Sequence, residues 1–549
     1  MVSFVQIVAF FWMARTIKFV LFWIYLWQLK EYHVGRFLDH FKTHKGKQLI
    51  FNLPLVIKAA LVLFILADGA FVYVLLPLYA VEFSVFCLAI IKKKFKHPKL
   101  TTKALWLMLV SLVVSWLFLS QAFALNNTAE FSVSLLFFDL CIPVFISCIV
   151  LFFQPFFAAV RGRILRKAKQ KMAQFSPPAG GLKVIGITGS YGKTSTKEFL
   201  SAILSAKFKV LATPEHKNSE IGIAQTILHD LKPDHQFFIV EMGSYKKGGI
   251  TLLCNMVEPE IGLVTGVNQQ HLATFGSMDN LLSAEGGREL LHCLPKHGLL
   301  VVNGDNKHCL ALYKNANIRK QIYTVKRETI NSDIWTEDME IEQDNIFFIA
   351  MARDATLAEG SHGFKKDMAH FHVDVLGAQQ VQNMLGAILV AKDLGMSLEE
   401  ISQACRNIRP KQAGMTLAKG IHGINIIDAS YSSNPDGVMA DLDYLAIFPH
   451  KKVIVMPCLI ELGSQSAEVH TQIGKKIAQV CDLAIITTQD KFKEIKTAAV
   501  AEGMSENRIL FCDNPQEIFG HITTACKAGD AVLLEGRVPG ELITLLNGR

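Results

Sequence analysis

A chain of 549 residues exceeds what one compact core holds, so three or four structural units are expected. Half of it (51%) is hydrophobic, with the excess before residue 160, which sets an apolar N-terminal region against a soluble body. Lys and Arg outnumber Asp and Glu by 56 to 48, and the surplus beside apolar segments suits anionic lipid headgroups; no nucleic-acid motif accompanies it, and the 11 scattered Cys, with no CxxC pair or Cys/His cluster at metal-ligand spacing, read as reduced thiols of a cytosolic body.

Residues 3–28 are apolar but carry Arg15 and Lys18, and a charge at mid-span is costly in lipid. The segment is expected to span, with an amphipathic interfacial helix as the alternative. The run from LIFNLPLV to FCLAII (49–91) is about twice the ~20 residues one spanning helix needs, so it divides into two spans at a tight turn near Asp68 and Gly69. Two more are expected at 104–125 and 131–160, joined by the polar loop NNTAE. Repeated apolar runs and the lack of a small-residue cleavage site argue against a cleaved signal peptide. With spans at 50–67, 70–91, 104–125 and 131–159, the basic stretches 42–47, KKKFKHPK (92–99) and RGRILRKAKQK (161–171) share one side, the cytoplasmic side by the positive-inside rule. Residues 1–160 are therefore expected to be a helical region of four or five spans in the cell (inner) membrane, with the C-terminal body in the cytoplasm, where ATP is available.

A basic and Pro/Gly linker (161–182) ends in SPPAGG, and an α/β alternation follows. The runs VIGIT (184–188), FFIVEM (237–242), IGLVTGV (261–267) and LLVVNGD (299–305), separated by helix-length stretches, predict a parallel sheet. After helical residues 379–405 come INIIDAS (424–430), KVIVMPC (452–458), LAIITT (483–488) and AVLLEG (531–536). A boundary near Leu376 and Gly377 divides a phosphate-loop parallel-sheet ATPase domain (183–376) from a Rossmann-like α/β domain (377–549).

The stretch GITGSYGKTST (186–196) lies where the first strand turns into a helix. Gly189 and Gly192 let backbone N–H groups approach phosphate oxygens, with Ser190 and Ser195 in the same loop. Lys193 reaches the terminal phosphates and the Thr194 hydroxyl suits Mg²⁺. Ile187, five positions before Gly192, departs from the general GxxxxGK[ST] pattern. Glu241 ends the strand FFIVE at the carboxyl edge of the sheet, where ligands of such folds gather.

GITGSYGKTSTKEFL, LATPEHKNSEIG, FFIVEMGSY, NQQHLATFGS, VVNGDN and IIDASYSSNPD, in this order over 183–549, resemble the Mur ligases, most closely the branch that adds D-alanyl-D-alanine. The resemblance implies an ATP- and Mg²⁺-dependent ligase that joins a carboxylate of a peptidoglycan precursor to the amine of an amino acid or dipeptide. It implies Mg²⁺ ligation by Glu241 and His271, adenine contacts from Asn303 and Asn383, and ribose binding by Asp428. In the family a carbamoylated lysine follows that histidine by fourteen residues; here Glu285 stands there and is expected to supply the carboxylate directly. Gln379 and Gln380 replace the family's His-Asn pair, and Met415 stands in place of a phosphate-orienting arginine, for which Lys411 or Lys419 is the expected substitute. The apolar helices occupy the place of the family's UDP-substrate domain, so either they tether the enzyme or the acceptor is itself lipid-linked. A membrane scaffold that binds ATP without ligating, an amidating enzyme of lipid-linked precursor and an ATP-driven transporter are the alternatives; amine, acceptor and oligomeric state stay open.

Overall fold

A computed structural model describes residues 4–175, 181–325, 331–353, 366–409 and 414–548, apart from 51, 93–94, 126, 216 and 431–432. The chain divides into two compact units, Met1–Gly162 and Arg163–Arg549.

In the first unit, α1 (Phe4–Leu29), α2 (Leu53–Ala67), α3 (Leu75–Ile91), α4 (Thr102–Phe123) and α5 (Thr128–Met172) dominate. Asp68 is extended between α2 and a short 3₁₀ turn, Gly69–Val74, and its carboxylate accepts from Ala70 N–H at 2.9 Å, which makes the expected tight turn. Five segments are long and apolar enough to cross a membrane: Phe4–Leu29, Gly46–Ala67, Gly69–Ile91, Thr102–Phe123 and Thr128–Met172. Large apolar side chains also face outward, among them Leu63, Trp116 and Phe152 at 69%, 60% and 77% exposure. Water disfavours a surface of this kind and hydrocarbon does not.

The interior of this unit is charged at its centre. Arg15 of α1 pairs with Asp139 of α5 and, at 3.1 Å, with Glu82 of α3, while Lys58 of α2 reaches Glu82 and Asp139 at 2.8 Å each. Trp12 Nε1 and Tyr79 Oη donate to Asp139 at 2.9 and 3.0 Å. Two cations alternate with two anions in a closed ring, so the charge at Arg15 is neutralised inside the helix bundle.

In the second unit the order of the first sheet is β2-β3-β1-β4-β5-β6-β7-β8-β9, with β1 Lys183–Thr188, β2 Val210–Ala212, β3 Phe237–Glu241, β4 Ile261–Val264, β5 Leu299–Asn303, β6 Arg319–Thr324, β7 Ile334–Ile341, β8 Ile346–Arg353 and β9 Lys366–Val373. The central strands are buried along their length, as parallel strands with both faces covered must be. The sheet is mixed, which corrects the all-parallel expectation: β7, β8 and β9 pair antiparallel. A four-residue link (342–345) between β7 and β8 is too short for the crossover a parallel pair requires.

Helix α6 (Lys193–Ser205) buries Phe199, Leu200, Ile203 and Leu204 at helical spacing against this sheet. Helices α7 (Gln379–Asp393) and α8 (Leu398–Cys405) follow the boundary expected at Leu376 and Gly377, yet Val381, Met384, Leu385, Ile388 and Ile401 belong to the same core. The second sheet begins at β10 (Thr416–Lys419) and continues with β11 (Asn425–Ala429), β12 (Lys452–Met456), β13 (Leu483–Ile486), β14 (Ile509–Phe511) and β15 (Ala531–Glu535), in the order β10-β11-β15-β12-β13-β14. It is parallel except for β10, which pairs antiparallel with β11. Helix α9 (Pro435–Ala446) leaves the carboxyl edge of β11, with Asn434 as its N-cap.

Candidate active site

Strands β1, β3 and β4 lie side by side, with Ile187 opposite Glu241 and Thr188 opposite Val264, so the loops leaving their carboxyl ends meet. The loop from β1 to α6 is glycine-dependent at two points. At Gly189 (φ 145°) a Cβ would meet Thr265 Oγ1 at 2.2 Å; at Gly192 (φ 76°), the N-cap of α6, it would meet Asn383 Oδ1 at 2.2 Å. The N–H groups of the first turn of α6, which includes Lys193, Thr194 and Ser195, lack intrahelical acceptors and form an anion-binding end. The Lys193 ammonium donates to the carbonyls of Gly189 and, at 3.5 Å, Ser190.

Two pairs flank the loop. On one side Thr194 Oγ1 and Asn218 Nδ2 each donate to Glu241 Oε1 at 3.0 Å, and the buried Lys197 ammonium lies 3.5 Å from Glu241 Oε2. On the other, Glu285 is almost fully buried between Ser190 Oγ at 2.7 Å and His271 Nδ1 at 2.9 Å. Burial pushes the Glu285 carboxyl up, but the combined pull of His271, Lys193 and the Ser190 hydroxyl outweighs it and holds the group below the usual carboxylate range. His271 precedes the short helix Leu272–Phe275 without a side-chain bond to it, and its ring meets Tyr245 edge-on at 5.6 Å.

The remaining expected residues are placed as follows. Asn303 ends β5 and is buried, its carboxamide donating to Thr265 O at 2.7 Å and accepting from Asp305 N–H at 2.9 Å. Asn383 of α7 lies against Gly192 and donates to Gln380 at 3.1 Å. Gln379 donates to Asp441 of α9 at 2.7 Å. Asp428 lies on β11, where its carboxylate accepts from Ser430 N–H at 3.0 Å. Met415 is a core residue of the second sheet, Lys419 holds Asn425 at 2.6 Å, and Lys411 lies outside the described residues. Asn218, Lys197, Asn268 and Gln270 were not singled out from the sequence, although Lys197, Asn218, Asn268 and Gln270 all lie within quoted stretches; what marks them is contact across the fold.

Hard oxygen donors at Thr194 and Glu241 suit Mg²⁺, which keeps its other positions for phosphate and water. His271 alone suits it less, and the Glu285 carboxylate beside it supplies the oxygen that imidazole lacks. The glycine cradle, Lys193 and the end of α6 fit a nucleoside triphosphate.

Residues 187–391 match the Mur ligase middle domain and residues 415–538 the Mur ligase, glutamate ligase domain. The UDP-N-acetylmuramoyl-tripeptide–D-alanyl-D-alanine ligase of Mycobacterium tuberculosis is 30% identical over 355 residues, which are 63% of this chain and 66% of that protein. The ligase of the same name from Escherichia coli is 28% identical over 299 residues, 53% and 61% of the two chains. The chain thus spans about two thirds of the length of these relatives or less. Among solved structures, MurF from Acinetobacter baumannii and the MurF ligase from Thermotoga maritima in complex with ADP each superpose with a TM-score of 0.59 at 22% identity, covering 71% of this chain and 81% and 83% of theirs. Through its middle and C-terminal domains, the chain belongs to the Mur ligase family.

Proposed function

We propose that the protein is an ATP- and Mg²⁺-dependent ligase that forms an amide between a carboxylate of a peptidoglycan precursor and the amine of an amino acid or dipeptide, of the D-alanyl-D-alanine-adding type. The observation that carries this is the convergence of Lys193, the Thr194–Glu241 pair and the His271–Glu285–Ser190 group on one phosphate-binding loop. A carboxylate does not react with an amine at neutral pH, because oxide is a poor leaving group. Transfer of the γ-phosphoryl group to the carboxylate gives an acyl phosphate; the amine, once deprotonated, attacks it, phosphate leaves, and the amide and ADP remain.

Such a transfer asks the protein for position and charge rather than for covalent chemistry. Lys193 and the N–H groups opening α6 hold the phosphates. Asn303 and Asn383 would face the adenine and Asp428 the ribose. Thr194 and Glu241 would hold one Mg²⁺, and His271 with Glu285 a second; bound there, the ions offset charge on the phosphoryl group in transfer. Glu285 takes the part of the family's carbamoylated lysine. The C-terminal lobe brings in the amine.

The body is assigned to residues 183–549, its membrane part to residues 1–160 with 161–182 as connection, and the site to the cytoplasmic face of the cell membrane. The basic stretches and the outward apolar side chains of the first unit support that placement, and they favour an acceptor that is lipid-linked or held near lipid. Phosphate release by the purified full chain is the test, with soluble UDP-muramoyl peptides and lipid-linked precursors as acceptors and D-alanyl-D-alanine as amine. Release that requires both partners, with a product of the summed mass less water, is expected; nucleotide binding without release for every pair overturns the proposal.

A further inference from the structure

We propose that Asn268 is a closing latch, a positioning residue through which the C-terminal lobe aligns the phosphate loop and His271; this rests on the ligase reading above. Asn268 is nearly fully buried and touches all three parts. Its side-chain N–H₂ donates to Asn434 Oδ1 and Asp436 Oδ2, both at 2.9 Å, at the start of α9. Its side-chain oxygen accepts from Gln270 N–H at 3.1 Å, and its carbonyl faces Ser190 Oγ of the phosphate loop at 3.5 Å. One residue, through its carboxamide and its backbone carbonyl, therefore joins the nucleotide loop, the turn leading to His271 and the segment that follows Asp428.

Neighbouring contacts act in the same place. Gln270 Nε2 donates to Ser433 O at 3.0 Å, and Ala273 N–H, two residues past His271, donates to Glu461 O at 3.0 Å. Glu461 has φ 66°, a conformation non-glycine residues rarely hold unless their surroundings demand it. All of these bonds cross from the first-sheet lobe to the loops at the carboxyl edge of the second sheet. They exist only while the lobes are together, and on the first lobe they end on Asn268, Gln270 and Ala273, which flank His271 and, through the Asn268 carbonyl, adjoin Ser190; His271 and Ser190 are the two groups that grip Glu285. Arrival of the C-terminal lobe with its amine is thereby tied to the geometry of the phosphate site, as lobe closure in group transfer requires.

Asn268→Asp keeps the shape but sets a carboxylate against that of Asp436. Like charges facing across an interface oppose closure, so kcat/KM for the amine falls about tenfold or more. The dissociation constant for ADP stays within about twofold, because the nucleotide loop is otherwise intact. Asp436→Asn in the same chain reverses donor and acceptor and restores most of the lost rate. Amide hydrogen exchange over residues 268–276 accelerates in Asn268→Asp and slows again in the double variant. An unchanged kcat/KM for Asn268→Asp, loss of ADP affinity in it, or a double variant as slow as the single one overturns the latch. Absence of amide formation by the wild type with every acceptor and amine defeats the ligase reading instead; the exchange comparison then decides the latch, and equal exchange in wild type and Asn268→Asp overturns it.

Discussion

On the ligase reading proposed above, Glu285 takes the part of the family's modified lysine with a carboxylate that the sequence itself supplies. The shorter arm is met by its surroundings: Ser190 and His271 approach both oxygens, and the group is held ionised although buried. Glu285→Gln removes the charge and keeps the volume. Turnover is expected to fall about 100-fold, with ADP binding retained in a calorimetric titration. Glu285→Lys, which restores the family residue, is expected to recover turnover as bicarbonate is added, whereas Glu285→Gln does not respond. A Glu285→Gln enzyme at the wild-type rate removes this residue from the mechanism. The residues around it were legible because motif and role coincide within a few positions: the glycines, Lys193 and Thr194 in one loop, Glu241 at a strand end. Asn218 and Asn268 were not, because their partners lie 23 and 166 positions away and a single sequence carries no sign of such pairs. Met415, expected in place of a phosphate-orienting arginine, fills the core of the second sheet.

The elements divide in the same manner. Central strands, buried on both faces, announce themselves as continuous apolar runs, whereas β7 (IWTEDMEI) is buried over its first three residues only and carries exposed acidic residues after them, so its sequence does not announce a strand. In the first unit Arg15 and Lys58 lie among the expected spans, and their partners Glu82 and Asp139 lie on other helices. Asp139→Asn leaves two buried cations with a single carboxylate, so loss of about 3–5 kcal/mol from the helix bundle is expected, visible as lowered thermal stability in detergent. Glu82→Gln is expected to cost less, since Glu82 is 16% exposed and Asp139 is not exposed at all. At the carboxyl end of β15, an inner strand of the second sheet, Glu535 is fully buried with Asp441 of α9 beside it. Burial pushes the Asp441 carboxyl up to about 6 and holds Glu535 well above the usual range. A raised acid takes up a proton on folding, so its stabilising effect is complete below the ordinary carboxyl pKa and is lost as pH rises through about 6. Asp441→Asn, which can keep its bond from Gln379, is expected to raise the unfolding temperature at pH 8 and to flatten its decline between the ordinary carboxyl pKa and about pH 6; an unchanged pH profile excludes this account.

For the whole molecule, composition alone separates an apolar first unit from an α/β body, and the structure draws the division at Gly162 and Arg163. Helix α5 continues past that point through the basic stretch to Met172, and Ala168 and Met172 pack in the body's own core with Val184, Ile223 and Ile227. The stretch read as linker thus begins as a helix, and removal of residues 1–162 keeps these packing residues while a cut at 172 would not. A body with its own sheets and cores is expected to remain folded and soluble after the shorter cut, and to form amide with a soluble UDP-muramoyl acceptor at close to the full chain's kcat/KM. The two roles open to the first unit then separate. A unit that only tethers leaves the ratio of kcat/KM for lipid-linked over soluble acceptor unchanged by the cut when both are presented in detergent. A unit that takes part in holding the acceptor gives a full chain that prefers the lipid-linked form and a truncated chain that has lost the preference. The second result is expected, because a ring of four charges, three of them buried, fixes how α1, α2, α3 and α5 pack, and a tether needs no such fixed interior.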